Sequence, residues 1–86
     1  MKFEVATHLT PEEVLRQAEA YYSARTGLEV TERADDRLEL SGTIGNAVIT
    51  AYRDHGHTAV HAETNRGVGL DVTDQTLRFL HSIPHI

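Results

Sequence analysis

Between Arg37 and Thr64 the chain carries two short glycine-containing reversals, Gly45-Asn46 and His55-Gly56, separating three segments of alternating apolar and polar residues. This constrains the fold more than anything else in the sequence. Side chains alternate across a strand with a period of two, and a tight hairpin fixes which residues face each other. With Gly45-Asn46 as a two-residue loop, Ile44 faces Ala47, Gly42 faces Ile49 and Leu40 faces Ala51. With His55-Gly56 as the other, Ala51 faces Val60, Ile49 faces Ala62 and Ala47 faces Thr64. One face of three adjacent strands is then apolar, as a sheet buried on one side requires. The polar turn Ala34-Asp35-Asp36-Arg37 adds a fourth strand that sets Leu28 and Val30 beside Leu38 and Leu40.

The flanking segments supply a further strand and the cover. Residues Lys2 to Leu9 alternate, with Phe3, Val5 and Thr7 on one side, which predicts an edge strand. In Leu9-Thr10-Pro11-Glu12-Glu13-Val14, Thr10 suits an N-cap and Pro11 the first helical position. Glu13 can complete a capping box, and Leu9 can staple onto Val14. A helix is predicted from Pro11 to Thr26, ended by Gly27. A second is expected after Asn65-Arg66-Gly67-Val68-Gly69, capped by Thr73, with Leu77, Leu80 and Ile83 as its inner stripe and Pro84 as its stop.

The predicted fold is α+β, β-α-β-β-β-β-α, an antiparallel sheet with both helices on one face, because only the helices carry apolar stripes to cover the buried side. In element order this resembles the TATA-binding-protein-like and helix-grip topologies. With 86 residues, one domain spanning 1–86 is expected. A core of that size gains from being shared in an oligomer. The absence of cysteine removes disulfides, thiolate metal sites and cysteine nucleophiles. Thirteen carboxylates against eight Lys and Arg give a net charge of −5, which repels phosphate backbones and anionic lipid. No nucleic-acid partner is expected. Met1-Lys2-Phe3-Glu4 leads into no apolar run, and no stretch approaches the roughly 18 apolar residues of a membrane span. The expectation is a cytoplasmic protein with no membrane partner.

Two short sequences, His8-Leu9 ahead of the first helix and Ser41-Gly42-Thr43-Ile44-Gly45 at a hairpin, are similar to the corresponding parts of the family of polyhydroxyalkanoic acid system proteins. The resemblance runs along most of the chain and implies a granule-associated or scaffold-like role. The loop from Asn65 to Asp71 departs from that family's apolar segment before the last helix.

Six histidines are the first candidates for chemistry. On one strand His57 and His61 lie about 13 Å apart, too far to share an ion. Pro84 disturbs the helical spacing of His81 and His85, so no metal site is expected. Gly67-Val68-Gly69 before a helix admits a phosphate reading with Arg66, but Asp71 and Asp74 already occupy the positive end of the helix. The hairpin register also places Glu39, Tyr52 and Ala59 in one row of the uncovered face, Ser41, Thr50 and His61 in the next, and Thr43, Val48 and Glu63 in a third. Tyr52 lies diagonal to His61, with Glu63 two residues along the same strand, within reach of a hydrogen-bonded cluster. Ser41 and His61 are about 9.6 Å apart across two strands, too far for direct activation of a nucleophile.

A face mixing Thr, Tyr and Val reads more readily as a contact surface than as a catalyst. The expectation is a non-enzymatic homodimeric binding or regulatory module with no cofactor and no catalytic residue. Its ligand or interface residues are Glu39, Thr50, Tyr52, His61 and Glu63. The alternative from another class is a small-ligand or hydrolytic site around Tyr52, His61 and Glu63.

Overall fold

Thr10 opens the first helix as its sequence demands. Its extended backbone (φ −71°, ψ 156°) turns the hydroxyl back to accept a hydrogen bond from Glu13 N at 3.2 Å, and Pro11 follows. The helix α1 spans Pro11–Arg25, with Thr26 as its C-cap and Gly27 beyond at φ 74°. Thr10→Ala is expected to cost about 1 kcal/mol in urea unfolding, and Thr10→Asp to recover most of it.

The computed structural model describes residues 2–43, 45–66 and 71–85. Around α1 stand β1 (Lys2–Thr7), β2 (Glu29–Arg33), β3 (Arg37–Gly42), β4 (Gly45–Asp54), β5 (His57–Arg66) and a second helix, α2 (Asp71–Ser82). The strands form one antiparallel sheet in the order β1-β5-β4-β3-β2, with the N-terminal strand at an edge. Leu38, Leu40, Ala47, Ile49, Ala51, Val60 and Ala62 form an apolar floor, each at most 1% exposed. The helices settle chiefly on β4 and β5 and close the core with Val14, Ala18, Tyr22, Phe79 and Leu80. The result is the α+β sheet with both helices on one face.

The β4–β5 hairpin has the expected register, Ala51 opposite Val60 and Ile49 opposite Ala62. Its turn holds His55 (φ 52°) and Gly56 (φ 86°), the positive dihedrals such a tight reversal needs. The β3–β4 hairpin differs. Gly42 pairs with Gly45, so Gly45 and Asn46 belong to β4 rather than to the turn, and Leu40 faces Ala47 instead of Ala51. The expected pairing with Ile44 lies outside the described residues. The expected register would have set Gly42 against Ile49 and Leu38 against Arg53. The observed one sets Leu38 against Ile49, aliphatic against aliphatic. The slip is an even number of residues, so every side chain keeps its face. Gly42 is also a close approach: a Cβ there would lie 2.8 Å from Leu28 Cδ2.

Two boundaries shift. β1 stops at Thr7 rather than Leu9. The helix α2 begins at Asp71, so Thr73 sits in its first turn, where its hydroxyl meets that of Thr64 at 3.0 Å rather than capping. The buried stripe of α2 is Val72, Thr76, Phe79, Leu80 and Ile83, whereas Leu77 is 36% exposed. One residue beyond Thr76, Leu77 is turned about 100° off the stripe. The stop before Pro84 is as expected.

Candidate functional site

With the helices on one side, the other side of the sheet is open, and the register orders its side chains in rows. Reading from β1 to β3, one row is Glu4, His61, Thr50 and Arg37; the next is Lys2, Glu63, Val48 and Glu39. A third holds Ala6, Ala59 and Tyr52. The hairpin slip therefore moves Glu39 from the Tyr52 row to the Val48 row. It also moves Ser41 from the Thr50 row to face Asn46, whose Oδ1 accepts from Ser41 Oγ at 2.7 Å. Thr43 falls in the turn segment, away from Val48 and Glu63.

Tyr52 faces Ala59, whose methyl group leaves the ring free to lean along the strand. It stacks on His61, centroids 5.5 Å apart and planes 12° from parallel, and its Oη lies 3.1 Å from His61 Nε2. The same nitrogen lies 3.3 Å from Glu4 Oε2. Glu4 thus stands where Glu63 was expected, because β1 pairs with β5 so that Glu4 is directly opposite His61. With its proton on Nδ1, neutral His61 accepts from Tyr52; as an imidazolium it donates to Glu4. Glu63 instead faces Lys2 across β1 and Val48 across β4. Tyr52 is 42% exposed.

At the β2 side, Glu39 lies opposite Glu32 and forms an ion pair with Arg37. A hydrogen bond with Glu32 holds the Glu39 carboxyl above its ordinary range, helped by desolvation and opposed by Arg37. Glu39 and Glu63 flank Val48 from two sides, roughly 9.6 Å apart at the usual strand spacing. The five expected residues lie on one face, and among them Tyr52 and His61 are joined by a hydrogen bond and a ring stack.

Of the remaining histidines, His81 and His85 do come together despite Pro84, their ring centroids 6.4 Å apart and their planes at 52°, but as a pair only. His55 Nδ1 meets Asp54 Oδ1 at 2.6 Å in the hairpin turn, and His85 Nε2 lies 2.6 Å from the Leu80 carbonyl at the end of α2. Among the described residues no three His, Asp or Glu side chains converge as a metal site would need. The Gly67-Val68-Gly69 phosphate reading lies outside the described residues.

Two depressions matter here, and one of them borders the site. One, about 190 Å³, lies beside His61 and is bordered by Lys2, Val48, Thr50 and Glu63. A larger groove of about 610 Å³ lies away from it, between α1 and the β2–β3 hairpin, where Arg33 pairs with Glu19 at 2.6 Å. Sequence reasoning missed that groove, since residues 14 apart in the chain give no periodic signal of meeting.

No protein-family model matches this chain, and no curated protein matches it. No helix among the described residues is long and apolar enough to cross a membrane.

Proposed function

We propose that the chain is a non-enzymatic homodimeric binding module whose open sheet face is its recognition surface. The observation that carries this reading is the Tyr52–His61–Glu4 cluster, an exposed aromatic ring held at one angle by a stack and a hydrogen bond in the middle of an uncovered face. Rigid, half-exposed aromatic residues supply contact area at little entropic cost, which is why tyrosine is enriched where proteins touch. The half-buried Val48 and Thr50 extend the surface.

The second reading is a small-ligand site in the depression beside His61. Its volume of about 190 Å³ is below the roughly 300–1,000 Å³ of ordinary ligand pockets, so the geometry supports a flat partner better. Neither reading needs a cofactor.

Light scattering on the intact chain is expected to give the mass of a dimer at micromolar concentration. A soluble paramagnetic probe in NMR then reports whether Tyr52, Thr50 and Val48 are covered by the second copy or left free for another partner. A monomer up to hundreds of micromolar would overturn the homodimer reading. Specific saturation of the His61 and Thr50 resonances by a small metabolite would favour the ligand site.

A further inference from the structure

The two edges of the sheet are built differently. In β2 the pairing register slips between Val30 and Glu32, and Glu29, Thr31, Glu32 and Arg33 are all exposed. A bulge and a run of charges are the devices by which edges are kept from pairing with other chains. In β1 there is no bulge, and its two charges, Lys2 and Glu4, are of opposite sign and alternate with Phe3 and Val5. It pairs with β5 without interruption from Lys2 opposite Glu63 to Thr7 opposite Thr58, and its other side has no strand beside it among the described residues. On the helix side, Phe3 and Val5 pack against the core yet stay only half-buried, because the helices settle chiefly on β4 and β5.

We propose that a second copy of this chain pairs with the free edge of β1, antiparallel, about a two-fold axis at Phe3. This rests on the homodimer reading above and names the surface that makes the dimer.

The charge pattern selects the partner and the register. A strand paired antiparallel with its own copy brings same-face residues opposite each other. Centred on Phe3, Lys2 of each copy faces Glu4 of the other and the two Phe3 rings meet on the helix side. Centred on Glu4, two carboxylates collide. Centred on Val5, Glu4 faces Ala6 and both charges go unmatched. Opposite charges directly across a strand pair are favourable and like charges are not, so the first register wins. Pairing of the two Phe3 rings also covers apolar surface that one copy leaves half-exposed. The two open faces then run on as one sheet of double width, with a Tyr52–His61–Glu4 cluster on either side of the axis.

The chain has no cysteine, so a single introduced thiol gives a clean cross-link. Directly opposed residues have Cα atoms about 4.5–5.5 Å apart, within reach of a disulfide. In the proposed register the two Val5 sites lie roughly 13 Å apart. Phe3→Cys is therefore expected to cross-link under mild oxidation at micromolar concentration, and Val5→Cys is not. Lys2→Glu is expected to weaken the dimer about tenfold, and the double exchange K2E/E4K to restore it.

A monomeric wild type overturns this inference together with the homodimer reading. A dimer in which Phe3→Cys fails to cross-link and Lys2→Glu has no effect overturns this inference alone. Cross-linking by Val5→Cys in place of Phe3→Cys also overturns it, because it contradicts the charge-matched register. Should a variant fail to fold, amide exchange in the wild type decides. The β1 amides that point away from β5 gain protection with rising concentration if the edge is the interface, and stay unprotected if it is not.

Discussion

Phe79→Ala is expected to lower the unfolding free energy by about 3–5 kcal/mol. A chain of this length has roughly 4–13 kcal/mol in total, so the loss is a large share of it. Phe79 is 1% exposed and sits where the two helices meet. Its ring lies 5.7 Å from that of Tyr21 and 6.2 Å from that of Tyr22, tilted at 53° and 48°. Removing the ring deletes the transfer free energy of a buried aromatic side chain and leaves a cavity between α1, α2 and the floor of the sheet. It also deletes two tilted aromatic pairs, each worth about 0.5–1.5 kcal/mol beyond burial. Thermal melts followed by circular dichroism should show Tm falling on the order of 15–30 °C. Leu77→Ala, two residues earlier on the same helix and 36% exposed, is the control and should change stability by less than about 1 kcal/mol. Equal effects of the two substitutions would mean that α2 is not seated on the sheet as described.

That pair of residues marks what a sequence can and cannot disclose. Leu77, Leu80 and Ile83 fit a helical stripe by spacing, but so do Val72, Thr76, Phe79, Leu80 and Ile83. Only the packing of α1 against α2 decides between two stripes that share members. The first helix was legible to its caps, because Thr10 and Pro11 act through backbone geometry within a few residues. The β4–β5 hairpin was legible for the same reason. The β3–β4 turn was not, since two registers an even number of residues apart put the same side chains in the core. What separates them is whether Ile49 meets Gly42 or Leu38, a contact across strands. The consequence fell on the open face. Tyr52 and His61 were placed correctly because they lie on one hairpin. Glu39 was moved by the slip, and Glu4 was missed because its place opposite His61 depends on β1 joining β5, an edge pairing with no turn to fix its register.

Tyr22 makes the stability of this fold depend on alkaline pH. Its side chain is fully buried and its hydroxyl is hydrogen-bonded to that of Thr76, which is also fully buried. Burial pushes the phenol from 10.0 up to about 12, because the phenolate would lose its hydration. The hydrogen bond with Thr76 partly opposes the rise, and proximity to Tyr21 adds to it. Below pH 10 both the folded and the unfolded chain keep the proton, and the full stabilisation is present. Between pH 10 and 12 the unfolded chain releases its proton first, so stability falls as pH rises. Above 12 both states are ionised and the contribution is gone. A rise of this size corresponds to a loss on the order of 2–3 kcal/mol across that window. Urea unfolding at a series of pH values should trace this decline, and phenolate absorbance should show one tyrosine ionising only as the protein unfolds. Tyr22→Phe should remove the late-ionising group and flatten the alkaline slope. At neutral pH it should cost only about 1 kcal/mol, since the Thr76 hydroxyl can turn to a carbonyl one helical turn back. A Tyr22→Phe protein that kept the wild-type slope would mean that the slope arises elsewhere, and that the link between α1 and α2 at Thr76 does not control the alkaline limit of the fold.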